Sequence, residues 1–236
     1  MPVYEIAGIK VGFEPKHDML RKRSEKYICG GEADFNIGIK DELFVNRPDY
    51  SVNVSDEIME YLWMGTAFNL KLLEYGGLFL HSSTVVVDGK AYSFSAPCGT
   101  GKSTHAGLWL RLLGDKAFII NDDKAAFRKI DGKYYVYGTP FSGKNEINVN
   151  TSAELAGICF VEQAKDNSIE QLPMDDAVSL IVSQTVRPAS PQRMEMMCDF
   201  IDTLIRDIPI YRLKCNMELD AARLSYRVMS RQAADD

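Results

Sequence analysis

The sequence predicts an α/β fold, with a mixed sheet and helices at its flanks. Short apolar runs in the middle of the chain are typical of strands, whereas most residues after Met174 follow helical spacing. Asp88-Gly89 joins two of the apolar runs, and Asp-Gly at such a junction is a strong signal for a tight hairpin turn. A hairpin pairs its strands antiparallel, so the predicted sheet is not purely parallel.

Composition limits the function classes. The chain has 236 residues, 46% hydrophobic and 25% charged, enough for one large domain or one domain with a small appendage. Its net charge of −6 argues against a nucleic-acid partner, which requires a basic surface. No apolar run reaches membrane-spanning length and no signal-peptide pattern is present, so we expect a cytoplasmic protein without a membrane partner. We expect disorder only at residues 231–236.

The cysteines predict neither a disulfide framework nor a zinc site, because they are odd in number and widely scattered. They are Cys29, Cys98, Cys159, Cys198 and Cys215.

Residues 1–77 form the first predicted unit, a small β-rich region followed by a helix. Tyr4–Val11 and Ala33–Lys40 are predicted strands between charged loops. The run Asn53–Glu57 is a capping signal, and Gly76-Gly77 is a stop signal for the helix between them. The apolar residues at helical spacing in this helix are Ile58, Tyr61, Leu62, Phe68, Leu72 and Leu73.

Residues 78–236 form the second predicted unit, a nucleotide-binding domain. It opens with the hairpin of Leu78–Val87 and Ala91–Ser95. A Gly-rich loop follows the second strand directly, and a helix begins near Lys102. The further predicted strands are Ala117–Asp123, Ala125–Lys129, Tyr134–Tyr137, Glu146–Val149, Gly157–Glu162 and Ile210–Lys214. Asp131-Gly132 predicts a second hairpin turn. The predicted helices are Met174–Val186, Pro191–Arg206 and Met217–Ser230.

The segment Ala96–Thr104 matches the phosphate-loop pattern A/G-x-x-x-x-G-K-S/T. Glycines in such a loop turn several N–H groups toward one point, and the helix N-terminus adds partial positive charge. Lys102 would neutralise the β- and γ-phosphates, the Ser103 hydroxyl would join the Mg²⁺ shell, and Thr104 would add a second hydroxyl. The predicted phosphate-binding residues are Cys98, Gly99, Thr100, Gly101, Lys102, Ser103 and Thr104.

We therefore expect ATP and Mg²⁺ as cofactors, although a loop that contacts only phosphates does not distinguish ATP from GTP. The alternative interpretation is a turn capped by Ser and Thr. Cys98 lies inside the loop, where N–H groups and Lys102 would acidify its thiol. Redox sensitivity and a tolerated small residue both stay open for this position.

Asp122 and Asp123 close a predicted strand shortly after the loop. A carboxylate there would hold Mg²⁺, and a second would accept the proton of an attacking hydroxyl. Neighbouring side chains of a regular strand point to opposite faces, so we expect at most one to face the nucleotide. The sequence does not decide which is the base, and a solvated turn is the alternative.

Other polar residues complete the predicted pocket. His81 lies one hairpin strand away from the loop and would assist proton transfer, with a core histidine as the alternative. Lys144 would bind the transferred phosphate, and Glu146 would face Mg²⁺. His105 is predicted to be structural or a contact on the base side. Arg187 and Arg193, at either end of the Pro188–Pro191 turn, would stabilise transition-state charge or simply lie at the surface.

The order of these motifs along the chain resembles that of the HPr kinase/phosphorylase-related family. The motifs are His81, the loop through Ser103, Asn121-Asp122-Asp123 and Glu146-Ile147. The resemblance covers about Leu78 to Arg193. It implies the nucleotide-binding core that this family shares with phosphoenolpyruvate carboxykinases, here with a small β-rich N-terminal region and a helical C-terminal part. It also implies transfer of the γ-phosphoryl group of Mg-ATP to a serine-type hydroxyl of a small molecule, a peptide or a small protein.

The chain departs from this family at two places. HPr kinases carry a Glu-Ile/Val-Arg-Gly signature, but Asn148 and Val149 follow Glu146-Ile147 here, which does not support HPr as acceptor or reverse phosphorolysis. The family's larger N-terminal domain is not recognisable in residues 1–77. Small relatives with Pro-Phe-Ser-Gly-Lys-like loops, among them kinases of free serine or of peptide natural products, resemble the chain better.

Three function hypotheses follow. The first is a kinase in which Asp123 or Asp122 is the base, His81 assists and Lys144 steadies the transferred group, with Ser103, Asp122 and Glu146 around Mg²⁺. The second is a nucleotide-binding partner or switch without kinase chemistry. The third is carboxykinase- or phosphatase-type chemistry. The acceptor and the oligomeric state, including a homo-oligomer, stay open.

Overall fold

The computed structural model describes residues 1–39 and 54–230. Within these ranges it contains eleven β-strands and six α-helices, a mixed α/β fold. The strands are β1 (Val3–Ile6), β2 (Ile9–Gly12), β3 (Ile28–Cys29), β4 (Phe35–Asn36), β5 (Gly77–Val87), β6 (Lys90–Ser95), β7 (Ala117–Ile130), β8 (Lys133–Tyr137), β9 (Ser152–Gln163), β10 (Ser168–Gln171) and β11 (Ile210–Cys215). The helices are α1 (Asp18–Ser24), α2 (Asp56–Leu72), α3 (Lys102–Leu113), α4 (Met174–Ser183), α5 (Pro191–Asp207) and α6 (Leu219–Met229).

None of the helices in these two ranges combines the length and apolar character that crossing a membrane requires. Lys40, Asn53 and residues 231–236, which belong to three of the sequence predictions, lie outside the described residues.

The N-terminal region forms a four-stranded sheet in the order β3-β1-β2-β4. The prediction of one strand over Tyr4–Val11 was wrong, because Ala7 and Gly8 have φ angles of 55° and 69° and turn the chain into the hairpin of β1 and β2. A tight hairpin turn of this kind has two successive residues with positive φ angles. Ala is not typical of the first of these positions, so the sequence does not indicate the turn. The predicted strand Ala33–Lys40 shrinks to β4 in the described residues.

Helix α2 connects this region to the rest of the molecule and confirms the predicted long helix. The Ser55 hydroxyl accepts a hydrogen bond from the Ile58 N–H (3.4 Å), and a 3₁₀ turn ends the helix at Gly76, whose φ is 67°. One helix face packs Phe68 and Leu72 into a core shared with the four-stranded sheet and with Phe79 and Phe141. The N-terminal sheet therefore has no separate core.

The large sheet has seven strands in the order β10-β11-β9-β6-β5-β7-β8. The predicted hairpin of β5 and β6 is confirmed, with Asp88 and Gly89 at φ angles of 49° and 75°. Strand β6 runs parallel to β9, and β9 parallel to β11, while β5, β7 and β8 are antiparallel neighbours. The start of β9 also pairs with β8, so the sheet curls back on itself.

Helices cover both faces of this sheet. Helices α4 and α5 pack on one face through Ile181 and Phe200, among other apolar side chains. Helices α3 and α6 pack on the other face, where Trp109 is fully buried. The phosphate-loop segment emerges between these two layers, at the edge where β6 ends.

The observed elements differ from the predicted ones at four further places. Strand β7 is continuous through Asp122 and Asp123, because β5 pairs with it along this stretch and supplies partners for its backbone. Residues Glu146–Val149 form no strand, only a bridge between Asn121 and Asn148. Strand β10 was not predicted, and α4 ends at Ser183 rather than Val186.

Candidate phosphate-binding and catalytic site

The predicted phosphate loop connects the end of β6 to the first turn of α3. Gly99 and Gly101 have φ angles of 79° and 121°, a region that side chains with a Cβ rarely adopt, and nothing lies within 4 Å of the Cβ positions they lack. Glycine is therefore required here for backbone conformation and not for space. The N–H groups in the first turn of an α-helix have no acceptor within the helix, so the start of α3 beside this loop is a candidate site for an anion.

The Lys102 side chain folds back over the loop. Its Nζ donates to the carbonyl oxygens of Ala96 (2.9 Å) and Pro97 (3.4 Å), and the residue is buried. Burial lowers the pKa of Lys102, and Cys98 and the two carboxylates of Asp123 and Asp122 offset only part of that effect. A polyanion at the loop would compensate the buried ammonium better than two carbonyl groups do.

Ser103 joins the loop to strand β7. Its hydroxyl donates to Asp122 Oδ1 at 2.7 Å, and the Asn145 side-chain amide lies 3.4 Å from Asp122 Oδ2. These oxygen groups have the donor chemistry that Mg²⁺ prefers. In the described parts of the chain, no group of three or more His, Cys, Asp or Glu side chains is arranged around a common metal position.

Asp123 faces a different partner from Asp122. His81 Nε2 lies 3.2 Å from Asp123 Oδ1, and the neighbouring Lys124 Nζ lies 2.6 Å from Asp123 Oδ2. Strand β7 is irregular at this point, because Asp123 has a φ of 132°. Asn121 holds the irregular stretch by accepting a hydrogen bond from the Lys124 N–H (3.0 Å).

The charges around Asp123 keep it ionised. Burial alone raises the pKa of Asp123, but the hydrogen bond from His81 and the Lys124 ammonium lower it more, to about 2. Burial lowers the pKa of Lys124, yet Tyr61 and Asp123 raise it above its usual range. At neutral pH this part of the site is an ion pair with His81 attached.

Gln184 positions His81 and was missed by the sequence analysis. The His81 N–H donates to the Gln184 carbonyl (2.9 Å), and His81 Nδ1 lies 3.1 Å from Gln184 Oε1. The neighbouring Thr185 hydroxyl donates to the Phe79 carbonyl (2.7 Å), so the segment after α4 is fixed to β5 at two points. No motif signals such a contact over 103 positions of the chain.

The loop between β8 and β9 closes over the carboxylates. Gly143 has a φ of 66°, and a Cβ at this position would lie 2.9 Å from Asp123 Cβ and 3.0 Å from the Asp122 carbonyl oxygen. The Gly143 N–H donates to the Tyr61 hydroxyl at 3.0 Å. Lys144 is exposed, and its predicted role in binding phosphate stays a prediction.

The remaining predicted residues have other partners. Glu146 is exposed, and its carboxylate lies 3.2 Å from Arg23 Nη2. Asn148 accepts from the Tyr27 hydroxyl (2.8 Å) and donates to the Ser142 hydroxyl (2.7 Å), so it fastens the loop to the N-terminal region. Arg193 pairs with Glu74 at 2.8 Å.

Two further predicted positions lie outside the cluster. Arg187 is exposed. His105 is buried, with its Nε2 2.9 Å from the Ser225 hydroxyl, so of the two predicted roles the structural one fits its contacts.

Three cavities lie beside the phosphate loop or beside His81. The largest, about 540 Å³, lies between the loop and the end of β9 on the side of α4. A second, about 370 Å³, lies between the loop, α3 and the end of β11. The third, about 240 Å³, lies beside His81 and Lys124, between α2 and the segment after α4.

The family model for SynChlorMet cassette protein ScmC matches residues 49–219. The matched segment is well over half of the chain and includes the phosphate loop, both carboxylates and His81. The chain belongs to the ScmC family. Residues 1–48, and with them the four-stranded sheet, precede the matched segment of this ScmC-family protein.

Comparisons with individual proteins add little to the family assignment. The chain is similar to a structure of the Hpr(Ser) kinase/phosphatase from Coxiella burnetii, with 9% sequence identity and a TM-score of 0.38 over 65% of this chain and 95% of that chain. A TM-score of this size does not establish a shared fold. No curated protein matches the ScmC-family chain.

Proposed function

We propose that this ScmC-family protein is a Mg²⁺- and nucleoside-triphosphate-dependent kinase that transfers a γ-phosphoryl group to a serine-type hydroxyl. One observation carries the proposal: Ser103, directly after Lys102 at the start of α3, is hydrogen-bonded to Asp122, and the next residue, Asp123, is paired with His81. These contacts support a site in which the loop would bind phosphate, Ser103 and Asp122 would hold the metal ion, and Asp123 would accept the proton.

The triphosphate would bind at the loop and the N-terminus of α3. Its oxygens would accept hydrogen bonds from the N–H groups of the first turn, and Lys102 Nζ would exchange the carbonyls of Ala96 and Pro97 for phosphate oxygens. Ser103 and Asp122 would hold Mg²⁺, which proteins commonly bind through one or two carboxylates together with substrate phosphates. The ion supplies charge neutralisation at the phosphate oxygens when bound.

Asp123 would orient the acceptor and receive its proton. The acceptor oxygen forms a bond to the γ-phosphorus, the bond from phosphorus to the β,γ-bridging oxygen breaks, and the acceptor proton passes to an Asp123 oxygen. A carboxylate whose pKa is about 2 is a weak base, so the proton moves late, once the acceptor oxygen has gained most of its bond to phosphorus. His81 and Lys124 hold the carboxylate in place for this step.

The acceptor would approach through the cavity of about 240 Å³ beside His81 and Lys124. This volume is below the range of about 300–1,000 Å³ typical of sites for drug-sized ligands. It fits a small hydroxylated molecule or a single side chain of a peptide. The identity of the acceptor is a matter for a screen of both classes.

Calorimetric titration of the nucleotide tests the first half of the proposal. We expect MgATP to bind the wild-type protein with a micromolar Kd. ATP in the absence of Mg²⁺ should bind much more weakly. Lys102→Ala should weaken binding by roughly 10- to 100-fold, because charge-assisted hydrogen bonds to phosphate are lost. The exposed Lys116→Ala variant, beyond the C-terminal end of α3, is the matched control for the loss of a lysine charge, and Lys144→Ala tests separately whether Lys144 holds phosphate.

A transfer assay tests the second half. Wild-type protein with radiolabelled MgATP should label at least one member of a panel of hydroxyl-bearing amino acids and serine-containing peptides. Binding of MgATP without transfer to any acceptor, and without slow hydrolysis, would favour the second candidate, a nucleotide-binding switch. The contacts of Asn148 favour that candidate, because this position is used to fasten the loop to Tyr27 and carries no cation for phosphate.

A further inference from the structure

We propose that the cavity of about 370 Å³ between the phosphate loop, α3 and the end of β11 binds the base and ribose of the nucleotide. This inference rests on the proposed function, because it takes a nucleotide to be the ligand of the loop. It adds the direction in which the nucleotide lies and the residues that contact its base end.

Sheet topology sets this direction. Strands β6, β9 and β11 are parallel, so their carboxyl ends meet at one edge of the sheet, where α/β proteins bind ligands. In the order of the sheet, β9 and β11 lie on one side of β6, and β5 and β7 lie on the other. The proposed catalytic residues His81 and Asp123 are paired on β5 and β7. A nucleotide with its γ-phosphate at Asp123 therefore extends its other end toward β9 and β11.

The first turn of α3 gives the same direction. The Ser103 hydroxyl points toward β7, where it donates to Asp122. The next residue, Thr104, lines the cavity of about 370 Å³ together with His105 and Leu108 of the same helix. A polyphosphate that passes from Ser103 to Thr104 along this turn leaves the loop at the mouth of that cavity.

The walls of the cavity suit a flat heterocycle. Leu108 and Val161 form buried apolar surface, and Met217 lies at the rim with 76% of its surface exposed. Methionine is flexible and makes favourable contacts between its sulfur and aromatic rings, so Met217 is suited to fold over a bound base. The volume is within the usual range of about 300–1,000 Å³ for small-molecule sites.

Hydrogen bonds between the loops hold these walls in place without a ligand. Gln163 Nε2 donates to the Thr100 carbonyl (3.1 Å), the Ala164 N–H donates to the Cys215 carbonyl (2.9 Å), and Asn216 Nδ2 donates to the Lys165 carbonyl (3.1 Å). Binding to a preformed site avoids much of the cost of ordering loops.

The larger cavity of about 540 Å³ is the competing location for the base. No residue of α3 is among its lining residues, so the phosphate chain would have to turn away from the first turn of the helix. The connection to the first turn of α3 therefore favours the smaller cavity.

Calorimetric titration of two ligands distinguishes binding of the base from binding of the phosphates. MgATP carries both, whereas magnesium tripolyphosphate has no base or ribose. Ala164→Leu places a larger side chain in the proposed base cavity, and Leu180→Trp places a larger side chain in the competing one. We expect Ala164→Leu to weaken MgATP binding by roughly 10-fold or more and to change tripolyphosphate binding by less than about 2-fold. Met217→Ala, at a position with 76% of its surface exposed, should show the same selectivity to a smaller degree.

Three outcomes would overturn the inference. If Leu180→Trp weakens MgATP binding selectively and Ala164→Leu does not, the base lies in the larger cavity while the proposed function stands. If wild-type protein binds MgATP and tripolyphosphate equally tightly, the base makes no contact of consequence. If folded wild-type protein binds neither ligand, the proposed function falls together with the inference.

Discussion

At the scale of single residues, the two neighbouring carboxylates have different surroundings. Asp122 accepts a hydrogen bond from Ser103 at the phosphate loop, whereas Asp123 is held by His81 and Lys124. A regular strand directs neighbouring side chains to opposite faces of the sheet, and the φ of 132° at Asp123 departs from that geometry. In the proposed mechanism, Asp122 would hold the metal ion and Asp123 would accept the proton.

This assignment predicts different kinetic defects. Asp123→Asn should lower kcat by about 10²- to 10⁴-fold, because the amide does not accept a proton, and should leave the Kd of MgATP nearly unchanged. Asp122→Asn should instead raise the Mg²⁺ concentration needed for half-maximal activity. Steady-state kinetics at several Mg²⁺ concentrations distinguish the two, and full activity of the double variant would contradict the mechanism.

His105 gives a prediction about stability and pH. Burial lowers the pKa of His105 from 6.5 to about 4, and its ring is packed against Ser225 and Phe94. The folded state thus binds this proton less readily than the unfolded chain does. Stability from His105 is fully present above pH 6.5 and is lost as the pH falls from 6.5 toward 4, by about 3 kcal/mol in total.

Urea unfolding at pH values between 7.5 and 4.5 measures this effect. The variant His105→Gln is the control, because glutamine does not titrate. It should be less stable than the wild type at pH 7.5, since the contact with Ser225 changes, and the difference should shrink as the pH falls. A constant difference across the pH range would show that His105 is not held neutral in the folded state.

At the scale of elements, the strand, loop and helix around Lys102 were predictable because their signals are local. Apolar β6, the glycines of the loop and the helical spacing of α3 follow one another in the sequence, and Asp88-Gly89 specifies the preceding hairpin. The pairing of His81 with Asp123 was not predictable, because it depends on the register of β5 against β7. The contacts of Gln184 with His81 and of Glu146 with Arg23 depend in the same way on tertiary packing.

The phosphate loop itself carries a convenient probe. Cys98 is exposed in the loop, and Cys198 is exposed on α5. If the triphosphate binds at the loop, MgATP should slow alkylation of Cys98 by at least about 10-fold at saturating ligand and leave Cys198 unaffected. Mass spectrometry of the alkylated peptides measures both rates in one sample. Protection should disappear in Lys102→Ala, and equal Cys98 rates with and without MgATP would place the nucleotide elsewhere.

At the scale of the whole molecule, the N-terminal sheet and the site share one structure. Apolar residues of β1 and β2 lie in the same core as Phe68, Phe79 and Phe141. Hydrogen bonds from Tyr27 to Asn148 and from Lys26 Nζ to the Asn148 carbonyl fasten the loop that closes over Asp123. The N-terminal region is therefore expected to support the geometry of the site.

This sharing of a core predicts how fragments behave. A chain of residues 78–236 would expose Phe79 and Phe141, so we expect it to aggregate or to unfold without a cooperative transition. Circular dichroism during urea unfolding, together with size-exclusion chromatography, compares the fragment with the full chain. A monomeric fragment with a sharp transition would show that residues 78–236 fold independently.

The strand order also has a consequence for synthesis on the ribosome. Strand β6 pairs with β5, which precedes it, and with β9, whose Glu154 lies opposite Lys90. Until β9 leaves the exit tunnel, the nascent chain therefore carries an open sheet edge beside a complete phosphate loop, and such edges recruit other strands. The proposed base cavity includes Met217, so it forms only after synthesis has passed this residue. A nascent chain that has not reached Met217 would therefore lack part of the proposed nucleotide site.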